Sequence, residues 1–303
     1  MNRSQSFTTH KRKECYKPVV HKTNSASFRK GASFYNPYRY VFEGKKCTGH
    51  PNVKVAYDQA ARKQVVVKKC RNIENELKVL RELSDCEHIQ KMIQYDTVQK
   101  VIVYNYNPYG DLFEYTTKVR NLTPFESKNV VLIPILRALQ YMHSLNHAHR
   151  DIKQENILYY PSGCKLIDFE FCEMLPESGH FSDRKGTLEC MAPEVFFKKS
   201  CLESDLWSLG IVYYECLHNR NPFGVNRDIE SVKKDVLNMN ITIDLSLDIY
   251  DIGILKILIC QDPEHRKNIY THLPGTKQEL EEEPCVQDPE VTETRKMNCC
   301  WPW

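Results

Sequence analysis

The stretch HRDIKQEN at residues 149–156, with KLIDFE at residues 165–170, determines how the rest of this 303-residue chain is interpreted. The segment between them holds two apolar runs on either side of a Pro-Ser-Gly turn. That pattern is typical of two short strands joined in a hairpin. Such a hairpin would bring Asn156 and Asp168 close together.

The polar side chains of these two stretches suit one kind of chemistry, the transfer of a phosphoryl group. That reaction needs a carboxylate near the attacking hydroxyl, oxygen ligands for Mg²⁺, and cations on the phosphates. Asp151 can orient or deprotonate the hydroxyl, and Lys153 can neutralise the transferring group. Asn156 and Asp168 can hold Mg²⁺, with Mn²⁺ as an alternative metal. The competing interpretation is a chance His-Arg-Asp on a loop, and it loses weight because further motifs occur in order.

These residues resemble the catalytic loop and metal-binding motif of protein kinases. VVVK at residues 65–68 is similar to the kinase strand whose lysine, here Lys68, binds the α- and β-phosphates of ATP. The following helix offers Glu76 as the partner of that lysine. Glu74 is the competitor for Glu76, and Lys69 is the competitor for Lys68, although strand alternation directs Lys69 to the opposite face.

The segment VYNYNPYGDLF at residues 103–113 looks like the hinge between the two lobes of a kinase. The resemblance implies that adenine bonds backbone groups of Asn105 and Asn107, that Tyr104 is the gatekeeper, and that Asp111 reaches the ribose. It also implies that Val53 covers the adenine. The full set of nucleotide-binding residues that it implies is Gly44, Gly49, Val53, Val66, Lys68, Tyr104, Asn105, Asn107, Asp111 and Leu158.

Further motifs extend the resemblance over about residues 38–272. They are GT at 186–187, APE at 192–194, DLWSLG at 205–210 and DPEHR at 262–266. In the family, Glu194 and Arg266 form a buried ion pair. Lys153 and the Gly-Thr pair are similar to the serine/threonine branch. We therefore expect a serine/threonine protein kinase that uses ATP and Mg²⁺ and takes proteins as substrates.

The expected architecture is α+β, a bilobal protein-kinase-like fold. Apolar spacing predicts helices over 73–83, 128–144, 203–217 and 228–238, and β-branched runs predict strands at 53–57, 65–67 and 101–104. The predicted domains are a basic flexible arm at 1–35, a small β-rich N-lobe with one key helix at 36–106, a larger mainly helical C-lobe at 107–273, and an acidic, Cys-containing tail at 274–303.

Two departures from the family pattern concern the nucleotide and metal loops. Gly44 and Gly49 have the spacing of the outer glycines of the phosphate-covering loop, but Lys46 stands in place of the middle one. Counting back from Val53 instead places Pro51 at the last glycine position, so the loop has either two extra residues or a lost glycine, and we expect weakened ATP affinity. Glu170 stands where glycine normally follows the Asp-Phe pair, so it restricts a backbone flip or requires an unusual torsion.

The activation segment, residues 170–194, carries a carboxylate at a position that is phosphorylated in many members of the family. In the family, the arginine corresponding to Arg150 usually binds a phosphate on this segment. Counting back from Gly186 places Asp183 at that phosphorylated position. Our hypothesis is that Asp183 pairs with Arg150 and keeps the enzyme constitutively active. The alternative is that Asp183 is an ordinary loop residue and Ser182 is the phosphorylated one.

Three acidic residues suggest the substrate class. Asp111, Glu155 and Glu215 lie where basic-directed kinases contact arginines upstream of the target hydroxyl, so Arg-rich substrates are expected. The alternative roles are contact with the ribose for Asp111, solvation of a loop for Glu155 and a position on a helix surface for Glu215. Short runs at 186–189 and 251–256 also resemble protein kinase 1 of large insect DNA viruses, a family associated with very basic proteins.

Composition bounds the remaining possibilities. Hydrophobic residues make up 41% and charged residues 27% of the chain, which is ordinary for a folded soluble protein. No stretch predicts a signal peptide or a membrane span, and the 13 cysteines form no framework, so we expect a cytoplasmic or nuclear protein with reduced thiols. Residues 1–35 hold eight Lys/Arg against one Glu. They suit either a solvated arm or, less strongly, binding to nucleic acid or another anionic partner.

The rival interpretation is a pseudokinase, a scaffold that binds nucleotide and partners without efficient catalysis. The poor glycine loop and Glu170 favour it. Against it, every residue expected to touch metal, phosphate or the reacting hydroxyl is present.

Overall fold

The protein's structure is a computed structural model that describes residues 39–46 and 51–273. The predicted basic arm at 1–35, the acidic tail at 274–303 and Gly49 lie outside the described residues.

A five-stranded antiparallel sheet forms the first part of the described chain. Its strands are β1 Tyr40–Lys46, β2 Val53–Asp58, β3 Lys63–Lys69, β4 Met92–Asp96 and β5 Val101–Asn105. Their order in the sheet is β1-β2-β3-β5-β4. Its valine-rich strands alternate their side chains between two faces, as the pleat requires. The β2–β3 register pairs Val53 with Lys68 and Val55 with Val66, so these four side chains share one face.

The β1–β2 pairing contains a bulge at the predicted glycine loop. Phe42 pairs with Ala56 and Lys46 with Lys54, so β1 advances four residues while β2 advances two. Gly44 lies inside this bulge, a place where glycine is favoured because it tolerates irregular backbone.

Helix α1, Ile73–Glu82, connects β3 to β4 and is the single helix described within the sheet part. Asn72 caps it by accepting a hydrogen bond from the Asn75 amide at 3.3 Å. Ile73, Leu77 and Leu80 are buried on one face at helical spacing. The predicted last residue, Leu83, is the buried C-cap.

The remainder of the described chain is mainly helical, as predicted. The helix predicted at 128–144 is divided, because Ser127–Leu132 is π-helical and only Ile133–Ser144 is α-helical. Pro134 lies at this junction and lacks the N–H that a regular i→i−4 ladder needs. The helices are α2 Leu112–Lys118, α3 Pro124–Glu126, α4 Ile133–Ser144, α5 Ser204–His218, α6 Ile229–Leu237, α7 Ile249–Leu258 and α8 Pro263–Arg266.

Short elements position the polar loops. Strand β6, His147–Ala148, pairs antiparallel with β9, Glu173–Met174. Strand β7, Ile157–Leu158, pairs antiparallel with β8, Lys165–Leu166. The β7–β8 pair is the predicted hairpin, although its strands are shorter than the apolar runs. The 3₁₀ turns are Gln154–Asn156, Leu188–Cys190, Pro193–Phe197 and Lys267–His272.

Helix α5 lies at the centre of the helical core. Trp207, Tyr213 and Tyr214 are almost completely buried along it. A side chain at Gly210 would place its Cβ 2.8 Å from the Leu258 Cβ, so glycine permits the close approach of α5 and α7. A β-rich part followed by a larger helical part confirms the predicted fold class. Among the described helices, none is both long and apolar enough to span a membrane.

Candidate active site

A cavity of about 450 Å³ lies where the sheet meets the helical part. Its volume is in the range of small-molecule sites. Eight of the ten nucleotide-binding residues implied by the sequence line it: Val53, Val66, Lys68, Tyr104, Asn105, Asn107, Asp111 and Leu158. Of the other two, Gly44 lies in the β1 bulge and Gly49 is outside the described residues.

Sequence reasoning missed several lining residues. Val55, Tyr106 and Ile167 also face the cavity. Val55 could have been found, because it follows Val53 by two positions on the same strand face. Ile167 precedes Asp168 on the strand side of the metal motif and carried no separate signal.

Lys68 binds two carboxylates that come from distant parts of the chain. Its Nζ lies 2.6 Å from Glu76 Oε1 and 2.7 Å from Asp168 Oδ1. Burial alone would lower the pKa of Lys68, but the two carboxylates more than offset it and the pKa is raised. The lysine therefore keeps its charge. Both competitors, Lys69 and Glu74, are solvent-exposed.

Tyr104 lines the cavity beside this ion pair. Its hydroxyl lies 3.5 Å from Glu76 Oε1, at the long limit of a hydrogen bond. Burial, followed by the neighbouring negative charge of Glu76, raises the pKa of Tyr104. The side chain therefore stays a neutral phenol next to the Lys68–Glu76 pair.

Asn107 and Asp111 hold the backbone of the hinge in addition to lining the cavity. Asn107 Nδ2 donates to the carbonyls of Gly110 at 3.0 Å and Tyr159 at 2.9 Å, and Asn107 Oδ1 accepts from the Tyr109 amide. Asp111 Oδ1 accepts from the Glu114 amide at 2.7 Å and thereby caps α2. These structural contacts were not predicted.

The catalytic loop is anchored on Asp205, in the first turn of α5. Asp205 Oδ2 accepts from the His149 amide and Oδ1 from the Arg150 amide, both at 2.8 Å. His143 Nε2 lies 3.1 Å from Asp205 Oδ2. Burial would raise the pKa of Asp205, but the His143 contact and the amide bonds lower it overall. The anchor is therefore an ionised carboxylate.

Asp151 lies at the centre of a polar cluster. It accepts a hydrogen bond from Thr187 Oγ1 at 2.8 Å and another from Asn156 Nδ2 at 2.9 Å. Lys153 Nζ lies 3.3 Å from Asp151 Oδ2 and donates to Thr187 Oγ1 at 3.0 Å. The carboxylate predicted to act on the hydroxyl is thus fixed by three partners.

Gly186 lets the segment carrying Thr187 approach the catalytic loop. Its φ of +105° lies in the region that favours glycine, and a Cβ there would lie 2.6 Å from the Arg150 carbonyl oxygen. Only a residue without a side chain fits this approach.

The predicted metal ligands fit a hard cation. Asn156 is fully buried, its Nδ2 donates to Asp151, and its Oδ1 has no hydrogen-bond partner within the described part of the chain. The β7–β8 hairpin brings Asn156 and Asp168 together, with the Ile167 amide donating to the Asn156 carbonyl at 3.0 Å. Carboxylate and amide oxygens are suitable Mg²⁺ ligands. A buried oxygen without a partner is the donor that such an ion would satisfy.

The backbone of the metal motif answers the question raised by Glu170. The residue with positive φ is Asp168, at +64°, and Glu170 is not in the left-handed region. The Glu170 amide lies 3.4 Å from Asp168 Oδ1. The unusual torsion expected as one outcome at Glu170 is therefore wrong, and glycine is not required there in this conformation.

The activation segment contacts the catalytic loop through charge. The Arg150 side chain is 4% exposed and binds both Asp183 and Glu173, while Lys185 binds the same two carboxylates. The guanidinium also lies 4.1 Å from the centre of the Phe181 ring. Further along, Glu194 and Arg266 form the ion pair implied by the resemblance, at 2.6 Å.

Comparisons with known proteins agree with this geometry. A family model described as protein kinase domain matches residues 42–273. Calcium-dependent protein kinase 6 of Plasmodium berghei (strain Anka) is 36% identical over 178 residues, which are 56% of this chain and 12% of that protein. Serine/threonine-protein kinase ULK3 of Rattus norvegicus is 28% identical over 231 residues, covering 70% of this chain and 48% of the relative. Maternal embryonic leucine zipper kinase of Xenopus tropicalis is 29% identical over 211 residues, covering 66% and 32%.

The chain thus spans less than half the length of these curated relatives. The family match, by contrast, covers most of the chain and includes the cavity, the catalytic loop and the metal motif. The chain belongs to the protein kinase family.

Proposed function

We propose that this chain is an active serine/threonine kinase that transfers the γ-phosphoryl group of ATP to protein hydroxyls. The observation that carries the proposal is the buried Asn156 Oδ1, which has no hydrogen-bond partner among the described residues, although Asn156 Nδ2 donates to Asp151. Such an oxygen is an open ligand position for a metal ion bound with the nucleotide, and it belongs to the side chain that also holds Asp151.

Each side chain has a distinct role in the proposed reaction. Asp151 accepts the proton of the substrate hydroxyl, and Thr187 keeps its carboxylate in place. Lys153 neutralises charge on the transferring group, and Lys68 binds the phosphates on the far side of the cleft. Asn156 and Asp168 would hold Mg²⁺, which supplies positive charge to the phosphate oxygens when bound.

The proposed serine/threonine preference rests on Lys153 and on the Gly186-Thr187 pair. The Thr187 hydroxyl donates a hydrogen bond to Asp151 and accepts one from Lys153. A residue of the activation segment therefore contacts both side chains that would act during transfer to the substrate hydroxyl. The similarity of the chain to proteins whose names specify serine/threonine kinases supports the same preference. The degraded glycine loop leads us to expect weaker ATP binding than a complete loop would give.

Basic segments are the proposed protein substrates. Glu215 accepts hydrogen bonds from Gln154 Nε2 at 2.9 Å and Asn221 Nδ2 at 2.8 Å, close to the catalytic loop. Burial raises the pKa of Glu215, with Glu155 and Glu189 adding negative charge nearby. An arginine of a substrate would relieve this concentration of carboxylates.

Peptide pairs test the substrate class. A serine peptide with upstream arginines should be phosphorylated faster than its alanine counterpart, and Glu215→Gln should reduce that advantage. Glu230→Gln, an exposed change on α6, is the control. Equal rates for the two peptides would contradict the basic preference while leaving the kinase proposal intact.

The pseudokinase scaffold remains the second candidate because Lys46 occupies a glycine position. Labelled ATP with Mg²⁺ and a basic protein containing Ser, Thr and Tyr separates the two. We expect label on Ser or Thr with the wild-type chain, none with Asp168→Asn, and undiminished transfer with the exposed control Asp85→Asn. A thermal shift with ATP but no transfer by the wild type would establish the scaffold instead.

A further inference from the structure

Helix α1 is attached to the helical part of the protein near both of its ends. In its first turn, Asn75 Nδ2 donates to the Cys172 carbonyl at 3.0 Å. At its last residue, Glu82 Oε2 lies 2.7 Å from His147 Nε2. These two contacts join positions that are 97 and 65 residues apart.

Both contacts end on the same small pair of strands. His147 is the first residue of β6 and pairs with Met174 of β9, while Cys172 directly precedes β9. The β6–β9 pair is itself connected to the catalytic loop, because Glu173 of β9 binds Arg150. Helix α1 is therefore fastened to one structural unit rather than to two independent loops.

Glu76, which binds Lys68, lies between Asn75 and Glu82 on helix α1. Glu76 and Asp168 share the Lys68 ammonium, and two carboxylates around one cation repel each other. These two ion contacts do not by themselves prevent a movement of helix α1 that carries Glu76 away from Lys68. The Asn75 bond, on the adjacent residue, holds the helix to the segment that follows Asp168 by four positions.

Both contacts are partly shielded from solvent. The His147 side chain is 3% exposed, although Glu82 is 36% exposed. A third contact, Arg71 to Glu170 at 3.5 Å, has an arginine that is 76% exposed. Because exposed ion pairs contribute little, this third contact cannot replace the other two.

We propose that Asn75 and Glu82 are positioning residues that hold helix α1 on the β6–β9 pair and so keep Glu76 beside Lys68. The catalytic half of this inference rests on the proposed kinase function. Neither residue touches the nucleotide cavity, so both act through Glu76.

Two variants remove one fastening each. Asn75→Ala deletes the donor while improving helix propensity, so a loss of activity could not arise from a weaker helix. Glu82→Ala removes the partner of His147. Glu74→Gln is the matched control, because Glu74 is exposed on the same helix. Asn75→Asp keeps the side-chain shape and places an acceptor against the Cys172 carbonyl, so it should behave like Asn75→Ala.

Two measurements on the full chain decide the inference. We expect kcat for phosphoryl transfer to fall about threefold to tenfold in each test variant, with a smaller change in the KM for ATP. Hydrogen exchange of the α1 amides should become faster in the same variants. The Glu74→Gln chain should match the wild type in both.

Test variants that match the control in exchange and in kcat would overturn the inference. If the wild-type chain transfers no phosphate at all, the proposed function fails and exchange alone decides. Faster exchange in Asn75→Ala and Glu82→Ala would then support the attachment of helix α1, and unchanged exchange would refute it.

Discussion

Arg150 and Asp183 form an ion pair that joins the catalytic loop to the activation segment. The arginine side chain is almost completely buried, and its second carboxylate partner is Glu173. Because the charges are complementary without any added phosphate, we propose that the segment is ordered in the unmodified chain. An activation segment that is ordered without phosphorylation would give the constitutive activity expected from the sequence.

Replacing Asp183 should reduce activity in the unphosphorylated protein. Asp183→Asn removes the charge on one side of a charge-assisted bond, so we expect a loss of about tenfold or more in kcat/KM. Ser182→Ala should have little effect. Phosphatase-treated chains assayed side by side provide the measurement. The opposite pattern, with Ser182 essential and Asp183 dispensable, would show that phosphorylation controls the segment.

The contribution of Asp183 to stability should persist across neutral and mildly acidic pH. Burial would raise the pKa of Asp183, but hydrogen bonds from Arg150 and Lys185 lower it overall. A carboxylate with a lowered folded-state pKa stabilises the protein above its unfolded pKa of about 3.9, and the benefit disappears as pH falls through the folded value.

The Tm difference between wild type and Asp183→Asn should therefore stay constant from about pH 8 to pH 5 and shrink below about pH 4. A phosphate in the same place would lose charge near pH 6. A Tm difference that already declines between pH 7 and pH 5 would contradict the carboxylate explanation.

Removing Arg266 should destabilise the helical part strongly. Its side chain is 0% exposed and, besides Glu194, its guanidinium donates to the carbonyls of Cys260, Glu203 and Gln261. Breaking a buried pair on one side costs about 3–5 kcal/mol because the other charge is left uncompensated. Urea unfolding of Arg266→Met should show this loss.

The matched control is Lys233→Met. Lys233 lies 3.9 Å from Glu230 on the surface of α6, so the expected change is about 0–1 kcal/mol. Similar losses of unfolding free energy in the two variants would show that the buried Glu194–Arg266 pair stabilises the protein no more than a surface pair does.

A methyl group at position 186 should impair catalysis. Gly186→Ala combines a positive φ with a 2.6 Å contact to the Arg150 carbonyl, so Thr187 must move away from Asp151. We expect kcat to fall about tenfold or more, since backbone strain of this kind is worth about 1–3 kcal/mol. Gly179→Ala has a similar positive φ but open space around it. If Gly179→Ala lowered kcat equally, the close contact would not be the cause.

The sequence predicted the parts of the site that depend on local spacing. The hairpin that joins Asn156 to Asp168 follows from apolar runs a few residues apart, and the β2–β3 hairpin follows from two β-branched runs separated by a polar turn. The choice of Glu76 over Glu74 came from the resemblance, because leucines follow Glu76 at the fourth and seventh positions as in the family pattern. All of these are patterns of short range, where geometry is determined by strand and helix periods.

Contacts that cross long stretches of chain were not predicted. Nothing near Asn75 indicates that it meets Cys172, and nothing near Asn107 indicates that its carboxamide holds the Tyr159 carbonyl. Such pairs depend on how separate elements pack. The π-helical turn before Pro134 was missed because apolar periodicity does not distinguish it from an α-helix. The cytoplasmic or nuclear location, the role of residues 1–35 and the viral resemblance stay predictions.

The sharing of Lys68 between Glu76 and Asp168 has a thermodynamic consequence. A cation taken up by Asp168 would weaken the hold of that carboxylate on the ammonium and leave Lys68 more available to an anion. Reciprocity requires the anion to increase the affinity for the cation by the same factor. Two ligands of opposite charge would thus bind cooperatively through one ammonium group, with a coupling free energy that equilibrium titrations of each ligand in the presence of the other can measure.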